Sequence, residues 1–137
     1  MITQKNTAII IPARLAATRL PNKPLIMING KPMIHHVWER ACESNLGEVV
    51  VATDSKEIQK VIEDNGGTAC LTLMDHQSGT DRIYEALVKC DSKNEIEYIV
   101  NLQGDLPSIE ASALSAVLRL LENNEVHIGT LVVKIDK

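Results

Sequence analysis

Three cations stand close together in the stretch PARLAATRLPNKP, which occupies residues 12–24. They are Arg14, Arg19 and Lys23. Guanidinium and ammonium groups provide the positive charge and the hydrogen-bond donors that match the oxygens of a triphosphate. The three prolines of the stretch reduce the entropy that such a loop loses when it becomes ordered. The stretch therefore predicts a phosphate-binding loop, and a solvated loop that is merely basic is the alternative.

Two familiar phosphate-binding motifs are absent from the sequence. There is no G-x-x-x-x-G-K-[ST] segment, and no G-x-G-x-x-G segment follows the first apolar run. Those motifs are typical of P-loop NTPases and of dinucleotide-binding enzymes. A nicotinamide-dependent dehydrogenase is therefore disfavoured.

Two further segments carry polar groups. In NLQGD, Asp105 follows an apolar run, and its carboxylate can bind Mg²⁺, a cation usually held by one or two carboxylates with phosphate oxygens and water. A turn aspartate bonded to its own backbone before Pro107 is the alternative. In DHQSGTDR, residues 75–82, Ser78 can cap a helix or, with Gln103, hydrogen-bond a pyrimidine edge.

The composition excludes several classes of partner. The chain is 45% apolar with no Phe, one Trp and two Tyr, so it has few of the rings that stack single-stranded nucleic acid. A net charge of −4 argues against general attraction to nucleic acid or anionic lipid. The three cysteines form no CxxC pair, which predicts free thiols. No signal peptide or membrane span is apparent, so we expect a soluble cytoplasmic protein.

These groups depend on an alternation of strands and helices. Apolar runs predict five strands, and apolar residues at helical spacing predict four helices between them. The predicted strands cover residues 7–11, 48–53, 68–72, 98–102 and 128–133. Such alternation predicts an α/β, Rossmann-like fold, a mostly parallel sheet with helices on both faces. Ligands bind at the carboxyl ends of the strands in such sheets, which is where the three polar segments fall.

Some local features are also predicted. Pro12 is expected to end the first strand, because proline cannot donate to a strand ladder. Asp54 and Glu57 are expected to form a capping pair for the second helix. His35 and His36 are adjacent on a helix and face different directions, so structural or surface roles are expected for both.

Five blocks of the sequence, taken in order, resemble the 3-deoxy-manno-octulosonate cytidylyltransferases. They are IIPAR-x-x-x-TRLP-x-KPL, GKPMI, VATD, DHQSGTDR and VNLQGD. The resemblance extends from Ala8 to about Val133. It implies transfer of CMP from CTP to a sugar acid with release of pyrophosphate, a reaction of lipopolysaccharide synthesis. The acylneuraminate cytidylyltransferases share the PAR opening but not the RLP-x-KPL and HQSGT blocks, and they are the second candidate.

The resemblance implies a role for individual residues. Arg14, Lys23 and Asp105 would form the catalytic set, in which the two cations bind the triphosphate and the carboxylate binds Mg²⁺. Ser78 and Gln103 would recognise the cytosine. The full set implied to bind substrate is Pro12, Ala13, Arg14, Arg19, Lys23, Ser78 and Gln103.

Three positions depart from the pattern of the resembled family. Ala17 stands where the family has Ser, and it removes a hydroxyl that could bind phosphate. Asn22 stands where the family has Gly, although Asn also adopts left-handed backbone angles. Leu106 stands where the family has an acid beside the metal ligand.

Members of the resembled family are longer than 137 residues. The further part carries a second magnesium-binding aspartate, most of the sugar-acid pocket and the main contacts of a homodimer. We therefore expect residues 1–137 to form a single nucleotide-binding domain without that part. Two hypotheses follow: an enzyme that is active alone or with a complementing chain, and a truncated remnant or interaction module that binds CTP without turnover.

Overall fold

The computed structural model describes residues 2–15, 22–72, 79–91, 93–104, 110–120 and 128–130. Within these ranges the chain alternates strands with helices. The strands are β1 Thr7–Ala13, β2 Met27–Ile28, β3 Lys31–Pro32, β4 Glu48–Thr53, β5 Thr68–Leu71, β6 Tyr98–Asn101 and β7 Ile128–Thr130. The helices are α1 Met33–Glu43, α2 Lys56–Asp64, α3 Gly79–Cys90 and α4 Ala111–Leu120. No helix in the described ranges is long and apolar enough to cross a bilayer.

Five strands form one sheet in the order β5-β4-β1-β6-β7. All the pairings between them are parallel. The short strands β2 and β3 form a separate antiparallel hairpin. Its turn is Asn29-Gly30, where both residues have positive φ, as a two-residue hairpin loop requires. The predicted α/β class with a mostly parallel sheet is confirmed.

Side chains of β1 alternate between two apolar layers. Ile9 and Ile11 point into a layer shared with α1, α2 and α4, whereas Ala8 and Ile10 point into a layer shared with α3. All four are buried, and each fully buried isoleucine contributes roughly 1.5–3 kcal/mol. The prediction of helices on both faces is confirmed, and aliphatic side chains build both layers.

The first strand was predicted to end at Pro12, but it continues to Ala13. Pro12 interrupts only one of the two ladders that β1 forms. The Leu102 N–H donates to the Ile10 carbonyl at 3.1 Å, so Pro12, two residues further along, also faces β6. Because Pro12 has no N–H, the pairing with β6 stops at Ile10, while the pairing with β4 continues to Ala13.

The predicted capping pair of Asp54 and Glu57 is wrong. Ser55 caps α2, since its Oγ accepts a hydrogen bond from the Ile58 N–H at 3.2 Å. A serine at this position is one of the best helix N-caps. The Asp54 side chain lies instead 3.9 Å from the buried guanidinium of Arg82.

Both histidines support the packing of α1. His35 is buried and stacks on Trp38, with 5.6 Å between ring centroids. His36 donates from Nε2 to the Ile28 carbonyl and so ties the helix to the β2–β3 hairpin. Burial lowers the pKa of His35, although Glu39 opposes the effect. These are the structural roles that the sequence suggested.

Candidate functional site

The carboxyl edge of the sheet collects residues from four strand ends. The sheet order places β4 and β6 on opposite sides of β1, so the topological switch point lies between β1 and β6. Ligands of open α/β sheets bind at such points. The described residues at this edge are Pro12, Ala13, Arg14, Thr53, Asp54, Thr72, Gln103 and Gly104.

The basic loop begins and ends at one backbone hydrogen bond. The Asn22 N–H donates to the Leu15 carbonyl at 3.0 Å. Arg14 and Lys23 each lie one residue outside this bond, so it brings their backbones together beside the end of β1. Arg14 is exposed and Lys23 is half-buried. The backbones of two of the three residues predicted to bind phosphate therefore lie near each other at the carboxyl edge.

Asn22 shapes the exit of this loop. Its φ is 62°, in the left-handed region, which Asn tolerates better than most residues other than Gly. Its carbonyl accepts a hydrogen bond from the Leu25 N–H at 2.9 Å, and Pro24 between them is buried. The expectation that Asn in place of Gly preserves the left-handed geometry is confirmed at this position.

The turn after β6 packs directly on β1. A Cβ atom added to Gly104 would lie 3.2 Å from the Pro12 carbonyl oxygen and 3.5 Å from Ile34 Cδ1. Only a residue without a side chain allows this approach without displacement of a neighbour. Glycine therefore places the predicted base-binding residue, Gln103, next to the predicted backbone contacts at Pro12 and Ala13.

A buried side chain orients Gln103. Asn101 is buried, and its Oδ1 accepts a hydrogen bond from Gln103 Nε2 at 3.1 Å. One amide N–H of Gln103 is used in this bond, so the amide oxygen can accept a hydrogen bond from a ligand and the second N–H can still donate one. Asn101 was not among the predicted site residues.

Arg82 is a second residue at this edge to which the sequence assigned no role. It is 2% exposed. Its Nη1 donates to Thr72 Oγ1, and its Nη2 lies 3.9 Å from Asp54 Oδ2, without a hydrogen-bond partner among the described residues. Thr72 follows β5 and Asp54 follows β4, so Arg82 joins α3 to the ends of two strands. The sequence did contain a signal for this role. Arg82 stands four residues before Ala86, which places a charged side chain on the apolar face of the helix.

Several predicted residues lie outside the described ranges. They are Ala17, Arg19, Ser78, Asp105 and Leu106. In the described part of the chain, no group of three His, Cys, Asp or Glu could hold a metal ion. The carboxylate of Asp54 is described, but it faces Arg82 rather than an open cation site. The roles assigned to Arg19, Ser78 and Asp105 stay predictions.

Two cavities lie at the opposite, amino-terminal edge of the sheet. One of about 430 Å³ is lined by residues that include Trp38 and Gly67. Another of about 290 Å³ is lined by residues that include Leu46 and Arg119. Neither contains a predicted site residue. We place the site at the carboxyl edge, because the backbones of Arg14 and Lys23 and the Gln103–Gly104 turn lie there.

Comparison with known proteins identifies the family. Residues 8–137 match the family model described as cytidylyltransferase. The chain belongs to the cytidylyltransferase family. It is 52% identical over 135 residues to a 3-deoxy-manno-octulosonate cytidylyltransferase of Brucella suis. The matched region covers 98% of this chain and 54% of that relative. The resemblance seen in the five sequence blocks is confirmed.

Solved cytidylyltransferases have the same fold. The structure of CMP:2-keto-3-deoxy-manno-octonic acid synthetase complexed with CTP matches with a TM-score of 0.79 and 40% identity, over 88% of this chain and 48% of that one. A cytidylyltransferase from Leptospira borgpetersenii matches with a TM-score of 0.70 and 27% identity, over 86% and 50%. The chain spans about half the length of the relatives that it matches.

Proposed function

We propose that the chain binds CTP at the carboxyl edge of its sheet, as the nucleotide-binding part of a 3-deoxy-manno-octulosonate cytidylyltransferase. The observation that carries this proposal is its likeness to a synthetase solved with CTP, at 40% identity and a TM-score of 0.79. The convergence of Arg14, Lys23 and the Gln103–Gly104 turn on the switch point of the sheet supports it.

The proposed reaction is a nucleotidyl transfer that forms the CMP-activated sugar acid used in lipopolysaccharide synthesis. The anomeric hydroxyl oxygen of the sugar acid forms a bond to the α-phosphorus of CTP and loses its proton to solvent water. The bond from that phosphorus to the bridging oxygen breaks, and pyrophosphate leaves with the electron pair. Arg14, Arg19 and Lys23 would neutralise the charge that develops on the pyrophosphate, because such transfers depend on positioning and electrostatic stabilisation.

The orientation of Gln103 supports the choice of cytosine. One of its amide N–H groups donates to Asn101 Oδ1, and this orientation lets its amide oxygen accept a hydrogen bond from the base. Cytosine presents an exocyclic amine where uracil presents a carbonyl oxygen, so an acceptor at this position favours CTP over UTP. We propose that Ser78 and the backbone of Pro12 and Ala13 complete the recognition of the base.

We propose Mg²⁺ as the cofactor, held by Asp105 together with phosphate oxygens of CTP. The donor chemistry fits, because Mg²⁺ in nucleotide sites usually has one or two carboxylates with phosphate oxygens and water. When bound, the ion would supply charge neutralisation to the triphosphate. The prediction that residues 1–137 form one nucleotide-binding domain also stays part of this proposal, as do a cytoplasmic location and a complementing chain or dimer partner.

Isothermal titration of the chain with CTP and Mg²⁺ tests the proposal. We expect saturable binding that weakens roughly tenfold or more in Arg14→Ala and Lys23→Ala, because each loses a charge-assisted phosphate contact. Lys60→Ala, at an exposed position on α2, is the matched control and should bind as the parent does. UTP should bind more weakly than CTP. Absence of CTP binding to the folded chain would refute the proposal.

A pyrophosphate-release assay with the sugar acid then separates the two hypotheses about turnover. Release above background by the chain alone identifies an enzyme that needs no further chain. CTP binding without release identifies a binding module, or a site that a second chain completes. Addition of the acylneuraminate in place of the octulosonate tests the second candidate substrate.

A further inference from the structure

Two of the three cysteines lie on facing elements of one apolar layer. Cys70 is on β5 and packs with Ile83 and Ala86 of α3 in the same buried cluster. Cys90 is the last residue of α3. It comes four residues after Ala86 and seven after Ile83, so it lies on the same face of the helix. Cys90 therefore lies at the exposed end of α3, on the helix face that packs against Cys70.

A hydrogen bond holds the end of α3 to β5. Lys89 Nζ donates to the carbonyl of Leu71, the residue after Cys70, at 2.9 Å. The Cys70 Sγ donates to the same carbonyl oxygen at 3.8 Å, so the Cys70 thiol and the side chain that precedes Cys90 meet at one atom. Burial and the neighbouring Cys70 together raise the pKa of Cys90 to about 11, with a smaller contribution from Glu48 and an opposing one from Lys89. The two thiols are thus neighbours, one exposed and one buried.

We propose that Cys70 and Cys90 are a dithiol site that a low-molecular-weight disulfide oxidises to an intramolecular disulfide between β5 and α3. The exposed Cys90 sulfur attacks one sulfur of the oxidant and forms a mixed disulfide, and one thiol of the oxidant is released. The Cys70 sulfur then attacks the Cys90 sulfur and releases the second thiol. Two protein thiols lose two hydrogen atoms in total, and one disulfide oxidant is reduced to two thiols.

The third cysteine does not take part. Cys42 is exposed on α1, which packs on the opposite face of the sheet from α3. It can form a mixed disulfide with the oxidant, but the layout of the fold gives it no partner on its own face among the described residues. Cys42 is therefore an internal control for the reactivity of an exposed thiol.

The bond would fasten the connection between β5 and α3. That connection includes residues 73–78, which contain the predicted base-binding Ser78. A cross-link that closes a loop of this size restricts the unfolded chain. We expect the oxidised protein to melt at a higher temperature than the reduced protein, by roughly 5–10 °C.

Mass spectrometry of the native protein in glutathione disulfide tests the proposal, and it does not depend on CTP binding. A Cys42→Ser variant leaves Cys70 and Cys90 as the two cysteines of the chain. We expect this variant to lose the mass of two hydrogen atoms, to stay monomeric on a non-reducing gel, and to yield one peptide pair cross-linked through both residues. The rate should rise about tenfold per pH unit below the pKa of Cys90, as thiolate forms.

A second variant provides the control. Cys90→Ser changes an exposed position, so its fold should be retained. In the Cys42→Ser background it should show no loss of hydrogen and no change in melting temperature with oxidant. The proposal is overturned if the parent protein holds glutathione on Cys90 as a stable mixed disulfide. It is also overturned if Cys70 and Cys90 stay reduced while Cys42 is modified, or if the cross-link joins two chains.

Discussion

Replacement of Arg82 by Met should destabilise the fold through the carboxyl ends of β4 and β5. The guanidinium is 2% exposed, donates to Thr72 and lies 3.9 Å from the Asp54 carboxylate. Met keeps an unbranched apolar stem of similar length, so the packing against the sheet is largely preserved. The change therefore tests the charge and the hydrogen bond more than the volume.

Two effects of opposite sign determine the magnitude. Removal of one partner of a buried ion pair costs about 3–5 kcal/mol, because the other charge is left uncompensated. Arg82 Nη2 has no hydrogen-bond partner in the described ranges, and relief of such a donor returns about 1–3 kcal/mol. The distance to Asp54 exceeds that of a hydrogen bond, so the pair is weaker than an ideal one. The expected net loss is about 2 kcal/mol in the free energy of unfolding.

Urea denaturation, followed by circular dichroism, measures this loss. A double-mutant cycle with Asp54→Asn should give a coupling energy of about 1 kcal/mol or more between residues 54 and 82. Arg40→Met is the matched control. Arg40 pairs with Glu43 on the surface of α1 at 2.8 Å, and loss of such a pair should cost less than about 0.5 kcal/mol.

Two results would refute the reasoning about Arg82. If Arg82→Met were as stable as the parent, the guanidinium would not be holding the strand ends together. If the coupling energy with Asp54 were zero, Asp54 would not be its counter-ion. In either case Arg82 would not link α3 to β4 at the carboxyl edge of the sheet.

Three further predictions concern the site and its supports. Gly104→Ala should weaken CTP binding roughly tenfold and lower the free energy of unfolding by about 1 kcal/mol, because its Cβ would lie 3.2 Å from the Pro12 carbonyl oxygen. Titration and urea denaturation measure the two effects, and unchanged affinity would contradict the placement of CTP beside Gly104. Ser55→Ala should lower the free energy of unfolding by about 1 kcal/mol, because the Ile58 N–H loses its capping partner, and an unchanged denaturation midpoint would contradict that role. The folded state lowers the pKa of His35 below 6.5, so the unfolded state takes up its proton first. Stability should therefore fall as the pH drops through 6.5, and His35→Gln should remove that part of the pH dependence measured by denaturation.

The sequence predicted the elements of the sheet more reliably than the contacts between them. The run EVVVAT is β-branched and apolar, and β4 covers the residues that this pattern predicted. The β2–β3 hairpin was missed as a pair of strands, because two residues in each strand are too few for a periodic signal. The sequence does favour its turn at Asn29-Gly30, since that dipeptide readily adopts positive φ.

The capping error has the same physical origin as the missed role of Arg82. Asp54 and Ser55 are both good N-cap residues, so the sequence alone cannot choose between them. The choice depends on Arg82, which is 28 positions away in the chain and places its guanidinium beside Asp54. Long-range pairs of this kind leave no local pattern, whereas the basic loop and the QGD turn were visible because their residue types are unusual where they stand.

The position of the crevice follows from Pro12. A strand at the centre of a parallel sheet normally pairs with both neighbours along its length, and that would close the sheet between β1 and β6. Since Pro12 cannot donate to Leu102, the ladder on that side ends at Ile10 while the other continues to Ala13. The ends of β1 and β6 can then diverge at the switch point. Because Gly104 has no side chain, the turn after β6 packs against Pro12. One missing N–H and one missing side chain thus form the opening in which we place the nucleotide.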